Sequence, residues 1–268
     1  MTKTIPVSYL FVPGNRPDRF DKALNSGADK VILDLEDAVP PHEKQLARVN
    51  IKNWLNKERN VALRINSAET DWFFDDLFFC NAPGVDTIII SKASEVDQVN
   101  KVLDSGAKSI NLLIESATGF KNMEKLSKIE KVTRLIFGTL DFQIDLGIKG
   151  KDNELNYFRS KIVLTSKLYN LNSPVDGVTT SLDNHKLIKQ DTEYGKQFGF
   201  GAKLCIHPFQ IPIVNSVYMP TKDQYEWAKK ILKVAKDNKG SAAKFEGKMV
   251  DKPVITMAEE IINMFKEE

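Results

Sequence analysis

Short apolar runs rich in β-branched residues recur about every 25 to 40 residues along this chain, with helical patterns between them, and few folds accept that rhythm. They are SYLFV ending at Val12, KVILDLED from Lys30, VALRIN ending at Asn66, DTIIISK ending at Lys92, SINLLIES ending at Ser116, RLIFGTLD ending at Asp141, PVDGVTT around Val178 and AKLCIHP ending at Pro208. Eight parallel strands, each followed by a helix, close into a (β/α)8 (TIM) barrel, and the 268-residue length suits one such barrel with an addition. Helical patterns fall at Arg16 to Ser26, Glu43 to Lys57, Ser94 to Ser105, Gly119 to Lys128 and Tyr157 to Leu171. Residues 1–215 therefore read as a barrel catalytic domain. Residues 216–268 read as a small C-terminal helical extension, a lid, with an amphipathic helix, a turn-rich stretch and a last helix from Val254 to Lys266.

Composition narrows the function. The 38 Lys and Arg nearly balance 36 Asp and Glu, for a net charge of +2, which argues against a dedicated nucleic-acid or membrane-surface protein. No window of 18 apolar residues and no signal-peptide pattern is present, and Cys80 and Cys205 stand far apart without C-x-x-C spacing, so a reducing cytoplasm is the expected location. Only His42, His185 and His207 are available as imidazoles, with no H-x-x-x-H pairing, which argues against a His-rich metal centre. Any metal should be held by oxygens.

In parallel barrels the reacting groups sit where the strands end. Asp34, Glu36 and Asp37 close the second run, Arg64 and Asn66 the third, Lys92 the fourth, Glu115 the fifth and Asp141 the sixth. Read as neighbouring strand ends, Glu115 and Asp141 stand about 5 Å apart in the backbone and can share one Mg²⁺, an ion that takes one or two carboxylates and fills its remaining positions with water and substrate. The plain alternative is that each acid caps the next helix. Arg64 is one of seven arginines among 31 lysines, and its planar fork at a strand end suits a carboxylate or thioester oxygen. Pro13 and Gly14 form a turn after the first strand that permits close backbone approach, with Arg16 and Arg19 beyond it able to meet phosphates; a simple turn with a basic helix face explains them equally. His207 is read as a wall residue.

Taken together the motifs are familiar. S-x-L-F-V-P-G-x-R-P-x-R-F at Ser8 to Phe20, D-L-E-D-A-V at Asp34 to Val39, R-I-N at Arg64, I-E-S-A-x-G at Ile114 to Gly119, F-G-x-L-D at Phe137 to Asp141, P-x-D-G-V at Pro174 to Val178, C-I-H-P-x-Q at Cys205 to Gln210 and G-K-M-V-D-x-P at Gly247 to Pro253 resemble the citrate lyase β-subunit-like family, part of the HpcH/HpaI aldolase and citrate lyase group. The resemblance implies a carbon–carbon lyase (an oxo-acid lyase) acting on citryl-, malyl- or citramalyl-CoA, dependent on Mg²⁺ with Mn²⁺ as substitute, with coenzyme A part of the substrate. It implies Glu115 and Asp141 as metal ligands, Arg64 beside the thioester or keto-acid carboxylate, Glu36 and Asp37 as the acidic pair beside the metal waters, and Arg16 with Pro13 and Gly14 on the coenzyme A side. Asp251 is the implied acid that protonates the enolate. It would complete a neighbouring subunit's site in a homo-oligomer, a trimer or a multiple of it; helix capping ahead of Pro253 is its alternative. An acyl carrier protein is a further partner the resemblance allows. The histidine that pyruvate aldolases of the wider group carry after strand two is absent, which favours thioester cleavage. Two other classes compete: a metal-dependent enzyme of phosphoenolpyruvate type, and a non-catalytic thioester-binding barrel or assembly subunit.

Overall fold

A computed structural model describes residues 5–150, 153–237 and 243–265. Eight strands, β1 (Ser8–Pro13), β2 (Lys30–Asp34), β3 (Val61–Ile65), β4 (Val85–Ile90), β5 (Ile110–Ile114), β6 (Val132–Phe137), β7 (Asn172–Asp176) and β8 (Ala202–Cys205), pair in chain order. All pairings are parallel, and β8 returns to β1 to close the barrel. The eight runs of the sequence are these eight strands. Alternation along each strand sends every second side chain inward, and Tyr9, Ile32, Ala62, Ile89, Leu113, Ile136, Val175, Ala202 and Leu204 form the interior core. Two residues further along, at or just past the strand ends, the inward series continues as Phe11, Asp34, Arg64, Ser91, Glu115, Gly138, Gly177 and Ile206, so one core layer stands directly beneath the carboxyl end.

Local chemistry moves several expected boundaries. Pro17 cannot lie inside a long helix, and the expected Arg16 to Ser26 helix is a 3-10 turn, Pro17–Arg19, followed by the short helix Phe20–Leu24. The sixth run breaks at Gly138, which ends β6 and opens the helix Thr139–Leu146. The seventh run is followed by the helix His185–Phe198.

The chain divides into two compact units, Met1–Val214 and Asn215–Glu268. Within the second, the helices Lys222–Asp237 and Lys252–Met264 bury Ala228, Ile231 and Ala258 together with Val250. The turn-rich stretch expected there contains an antiparallel hairpin, β9 (Ala243–Phe245) and β10 (Lys248–Val250), turned through Glu246 and Gly247, both at positive φ (46° and 80°) as a two-residue hairpin turn requires. The expected helix end at Lys266 lies outside the described residues.

Candidate active site

The register of β2 against β3 places Asp34 beside Arg64. Arg64 Nε donates to Asp34 Oδ1 at 2.7 Å and Nη2 to Oδ2 at 2.6 Å, a two-point fork that is almost wholly buried. Its remaining nitrogen, Nη1, stands 3.0 Å from Glu36 Oε2 and 3.7 Å from Asp37 Oδ2, while the guanidinium stacks on Phe11 at 4.7 Å. Asp34 thus occupies the fork, and Glu36 and Asp37 share the Nη1 edge that faces the cavity. Burial would pull a guanidinium's pKa down, but Asp34, Glu36 and Glu115 outweigh it and Arg64 is held charged.

Asp34, 0% exposed, does more than pair with Arg64. Its carboxylate also accepts from the Glu36 N–H (2.9 Å) and the Ala38 N–H (3.2 Å), and so shapes the D-L-E-D-A-V turn. Lys44, buried at the start of the helix Lys44–Trp54, secures the same turn through the Leu35 and Glu36 carbonyls (2.6 and 2.7 Å) and Asn66 Oδ1 (2.7 Å). The sequence flags Asp34 only as one of several strand-end acids and does not flag Lys44; the available signal is that Asp34 falls on the inward register of β2. Glu36 is buried, and burial first, then the neighbouring Asp37, lifts its carboxyl to about 7 against the pull of Arg64. Asp37 is more exposed, and its N–H donates to Glu36 Oε2 at 3.0 Å.

Glu115 lies one residue past β5, 4% exposed, and its Oε1 accepts from the Lys92 N–H at 2.7 Å. Lys92 adopts φ 47°, a left-handed conformation uncommon for a side chain of its kind, at the point where its amide meets the carboxylate. Gly138 leaves Glu115 room, since a Cβ there would sit 2.6 Å from its Oε2. Burial raises the Glu115 carboxyl to about 8, with Glu36 and Asp141 adding to it and the Lys92 N–H and Arg64 opposing. The N-cap of the following helix is Ser116, whose side chain accepts from the Gly119 N–H, so Glu115 is not the cap. Asp141 is not at a strand end, as the sequence suggests, but in the first turn of the helix Thr139–Leu146. It is half-buried, and burial first, then Asp37, raises its carboxyl against Lys92 and Arg64.

Asp34, Asp37, Arg64, Glu115 and Asp141 all line one cavity of about 320 Å³, whose other walls are mostly apolar. No group of three or more His, Cys, Asp or Glu able to hold a metal ion occurs among the described residues. The hard oxygen donors facing the cavity are the carboxylates of Glu115 and Asp141, both raised above their ordinary range by burial first and by neighbouring carboxylates second. Those donors fit a Mg²⁺-type cation that takes its other ligands from water and substrate.

A second cavity, about 720 Å³, is lined by Pro13, Arg16, Asp18, Arg19, Lys22 and His207 among others. Arg16 is exposed there, paired with Asp18 by two 3.0 Å bonds. Gly14 is not on this wall. Its α-carbon packs inward, where a Cβ would come within 2.9 Å of both the Asp34 carbonyl oxygen and Ile51 Cδ1, so its role is packing rather than ligand approach. His207 Nδ1 accepts from the Phe209 N–H at 3.2 Å, a local turn contact. Asp251, in the second unit, caps the helix Lys252–Met264 by accepting from the Val254 N–H at 3.4 Å.

Fold and site together define a TIM barrel with an acidic, arginine-clamped centre at the carboxyl ends of its strands. The chain belongs to the HpcH/HpaI aldolase/citrate lyase family, whose profile matches residues 7–208; a second profile, carbon–carbon bond lyase of the TIM-barrel fold, matches residues 153–266. It is similar to the citrate lyase subunit beta-like protein of Deinococcus radiodurans, with 30% identity over 96% of each chain. It is also similar to the (3S)-malyl-CoA thioesterase of Cereibacter sphaeroides, with 28% identity over 95% of this chain and 93% of that one. Among solved structures, the CitE protein of Mycobacterium tuberculosis in complex with magnesium, acetoacetate and coenzyme A aligns with a TM-score of 0.85 and 29% identity over 98% of each chain.

Proposed function

We propose that this protein is a Mg²⁺-dependent carbon–carbon lyase that cleaves a 3-hydroxyacyl-CoA thioester of citryl, malyl or citramalyl type to a 2-keto acid and acetyl-CoA. The observation that carries this reading is the single cavity in which Glu115 and Asp141 face the Asp34–Arg64 pair and Asp37. Mg²⁺ or Mn²⁺ on Glu115 and Asp141 would supply Lewis acidity at the substrate's hydroxyl oxygen. Asp37, on the cavity wall, takes the hydroxyl proton, with Glu36 behind it held near 7. As the carbon–carbon bond breaks, its electron pair passes to the thioester as an enolate. Arg64 Nη1 faces the enolate oxygen, and Asp34 fixes its angle. Asp251 delivers a proton to the enolate carbon. Arg16 and Pro13, on the second cavity, meet the coenzyme A portion. The barrel (residues 1–215) is the catalytic domain and residues 216–268 the lid, in a cytoplasmic homo-oligomer, a trimer or a multiple of it. No helix among the described residues is long and apolar enough to cross a membrane.

The test is a panel of citryl-, malyl- and citramalyl-CoA, assayed with Mg²⁺ and with excess EDTA. The expected products are a keto acid and acetyl-CoA, formed only with metal. Free coenzyme A and the intact hydroxy acid would replace the lyase by a thioesterase, the activity in the name of the Cereibacter relatives; binding without turnover would leave a thioester-binding barrel. Mixing inactive Asp251→Asn and Glu115→Gln proteins under conditions of subunit exchange tests the assignment of Asp251, since recovered activity requires it to act on a neighbour's site.

A further inference from the structure

Two motifs of the sequence have no part in the chemistry above, P-x-D-G-V and C-I-H-P-x-Q; the first runs into the loop that follows β7, and the second, after β8, ends on Gln210, whose side chain reaches that loop. Lys203, on the outward register of β8 and 2% exposed, donates from Nζ to the Gly177 carbonyl at 2.9 Å. The same ammonium lies 3.1 Å from Asp191 Oδ2 and 3.6 Å from Asp176 Oδ2. Asp191 also accepts from Thr179 Oγ1, and Asp176 pairs with the buried Arg159. Gln210, 1% exposed, donates from Nε2 to the Thr179 and Ser181 carbonyls, each at 2.9 Å, and takes the Ile206 N–H on its Oε1 at 2.8 Å. Buried side chains thus hold the carbonyls of residues 177, 179 and 181 in turn. Residues beside the held positions line the cavities: Val178, between the first two, lines the carboxylate cavity and packs on the barrel core, and Leu182, just after the last, lines the cavity of Arg16.

Charge limits what this wall can accept. Arg64 is the only cationic side chain among the described residues lining the carboxylate cavity, and Asp34, Glu36 and Asp37 already share it. The remaining surface near Val178 is apolar, with Phe11, Leu113, Leu204 and Ile206, apart from the neutral hydroxyl of Thr139 beside Gly177. One substrate carboxylate can be met by the cation bound at Glu115 and Asp141; a second would lose its hydration against Val178 with no cationic side chain to replace it and at most the single hydroxyl of Thr139.

We infer that residues 177–182 form the specificity wall of this site, that Lys203 and Gln210 are the positioning residues that hold it, and that the acyl group admitted carries one carboxylate and hydrogen or methyl, not a carboxymethyl arm, at its hydroxyl carbon. This rests on the lyase reading above for the identity of the thioester. The experiment separates the two by measuring binding and turnover on different compounds. Analogues of malyl-, citramalyl- and citryl-CoA with the thioester carbonyl reduced to a methylene can neither form an enolate nor be hydrolysed, and their affinities for the Mg²⁺-loaded protein are read by calorimetry. The malyl and citramalyl analogues are expected to bind at least about tenfold more tightly than the citryl analogue. Lys203→Met should bring that ratio close to one while Mg²⁺ affinity stays as in wild type, and Lys203→Arg should restore most of it; Gln210→Leu serves if Lys203→Met does not fold. Citryl binding equal to or tighter than the others overturns the inference whatever the turnover of the true thioesters, as does an unchanged ratio in the folded wall variants. The expected binding order without any carbon–carbon cleavage would uphold the wall and remove the lyase.

Discussion

The two ends of the barrel hold opposite charges in different states of completion. At the amino ends of the strands, the inward positions two before the core layer are Lys30, Asn111 and Arg134, around a polar cavity of about 370 Å³. Those cations are tied to fixed acceptors. Lys30 bonds Asp86 Oδ2 (2.8 Å) and Asn60 Oδ1 (2.9 Å), and Arg134 bonds the Ser173 and Pro6 carbonyls (2.6 and 2.7 Å) and the Tyr9 hydroxyl (3.1 Å). At the carboxyl ends, Asp34, Glu36, Asp37, Glu115 and Asp141 gather around one arginine, and Glu36 and Glu115 are lifted to about 7 and 8. Polar groups at the first end knit strands together, with Arg134 Nη2, among the described residues, the one guanidinium nitrogen buried there without a hydrogen-bond partner; at the second end burial and mutual repulsion hold the carboxyls above their ordinary range. A barrel can thus carry comparable polarity at both mouths, and the incomplete one marks the ligand.

The comparison can be broken most severely at Asp34. Asp34→Ala leaves Arg64 buried without its partner and frees the Glu36 and Ala38 amides, so a loss of about 3–5 kcal/mol in unfolding free energy is expected together with loss of turnover. Arg64→Lys should keep charge but lose the fork, with kcat falling more than KM rises. Denaturant unfolding and steady-state kinetics check both, and a fully active, stable Arg64→Lys would remove the clamp from the account. At the other end, Arg134→Met strands three acceptors and should cost about 2–4 kcal/mol while Mg²⁺ affinity and kcat of the folded protein stay as in wild type. A selective loss of kcat there would make the amino end functional. The smallest expected effect is the cap: Asp251→Ala should cost about 1 kcal/mol and Asp251→Asn nearly nothing, because Asn caps as well as Asp. Since Asn cannot donate the proton, Asp251→Asn separates capping from catalysis by leaving stability intact and lowering kcat.

The frame was legible because closed parallel barrels bury their strands on both faces, which makes eight β-branched runs stand out, and because catalytic groups follow those runs. What sequence could not supply was lateral register. Asp34 and Arg64 are thirty positions apart in the chain, and only the β2–β3 pairing shows that the fork is filled. Sequence places Asp141 at a strand end because Leu140 extends the apolar run Leu135–Phe137 toward the acid; Gly138 is the punctuation that ends the strand. Gly14 shows the converse, a glycine explained by the Asp34 carbonyl and Ile51 rather than by a ligand. The hairpin at Glu246 and Gly247 has no clear sequence signal, because a non-glycine at positive φ leaves a weak signature.

The most direct test of the incomplete acidic end is calorimetric titration of the metal-free protein with Mg²⁺ at pH 6 and pH 8.5 in buffers of different ionisation enthalpy. Glu115 is held protonated to about 8 by burial, above its ordinary 4.5, so its folded form destabilises the metal-free protein progressively as pH rises through that window, and a bound cation must displace its proton. The account predicts one Mg²⁺ per chain, proton release on binding at pH 6 that shrinks by pH 8.5, a larger thermal stabilisation by Mg²⁺ at the higher pH, and loss of all three in Glu115→Gln but not in Arg134→Met. Mg²⁺ binding that is unchanged by Glu115→Gln, or no binding at either pH, would contradict it.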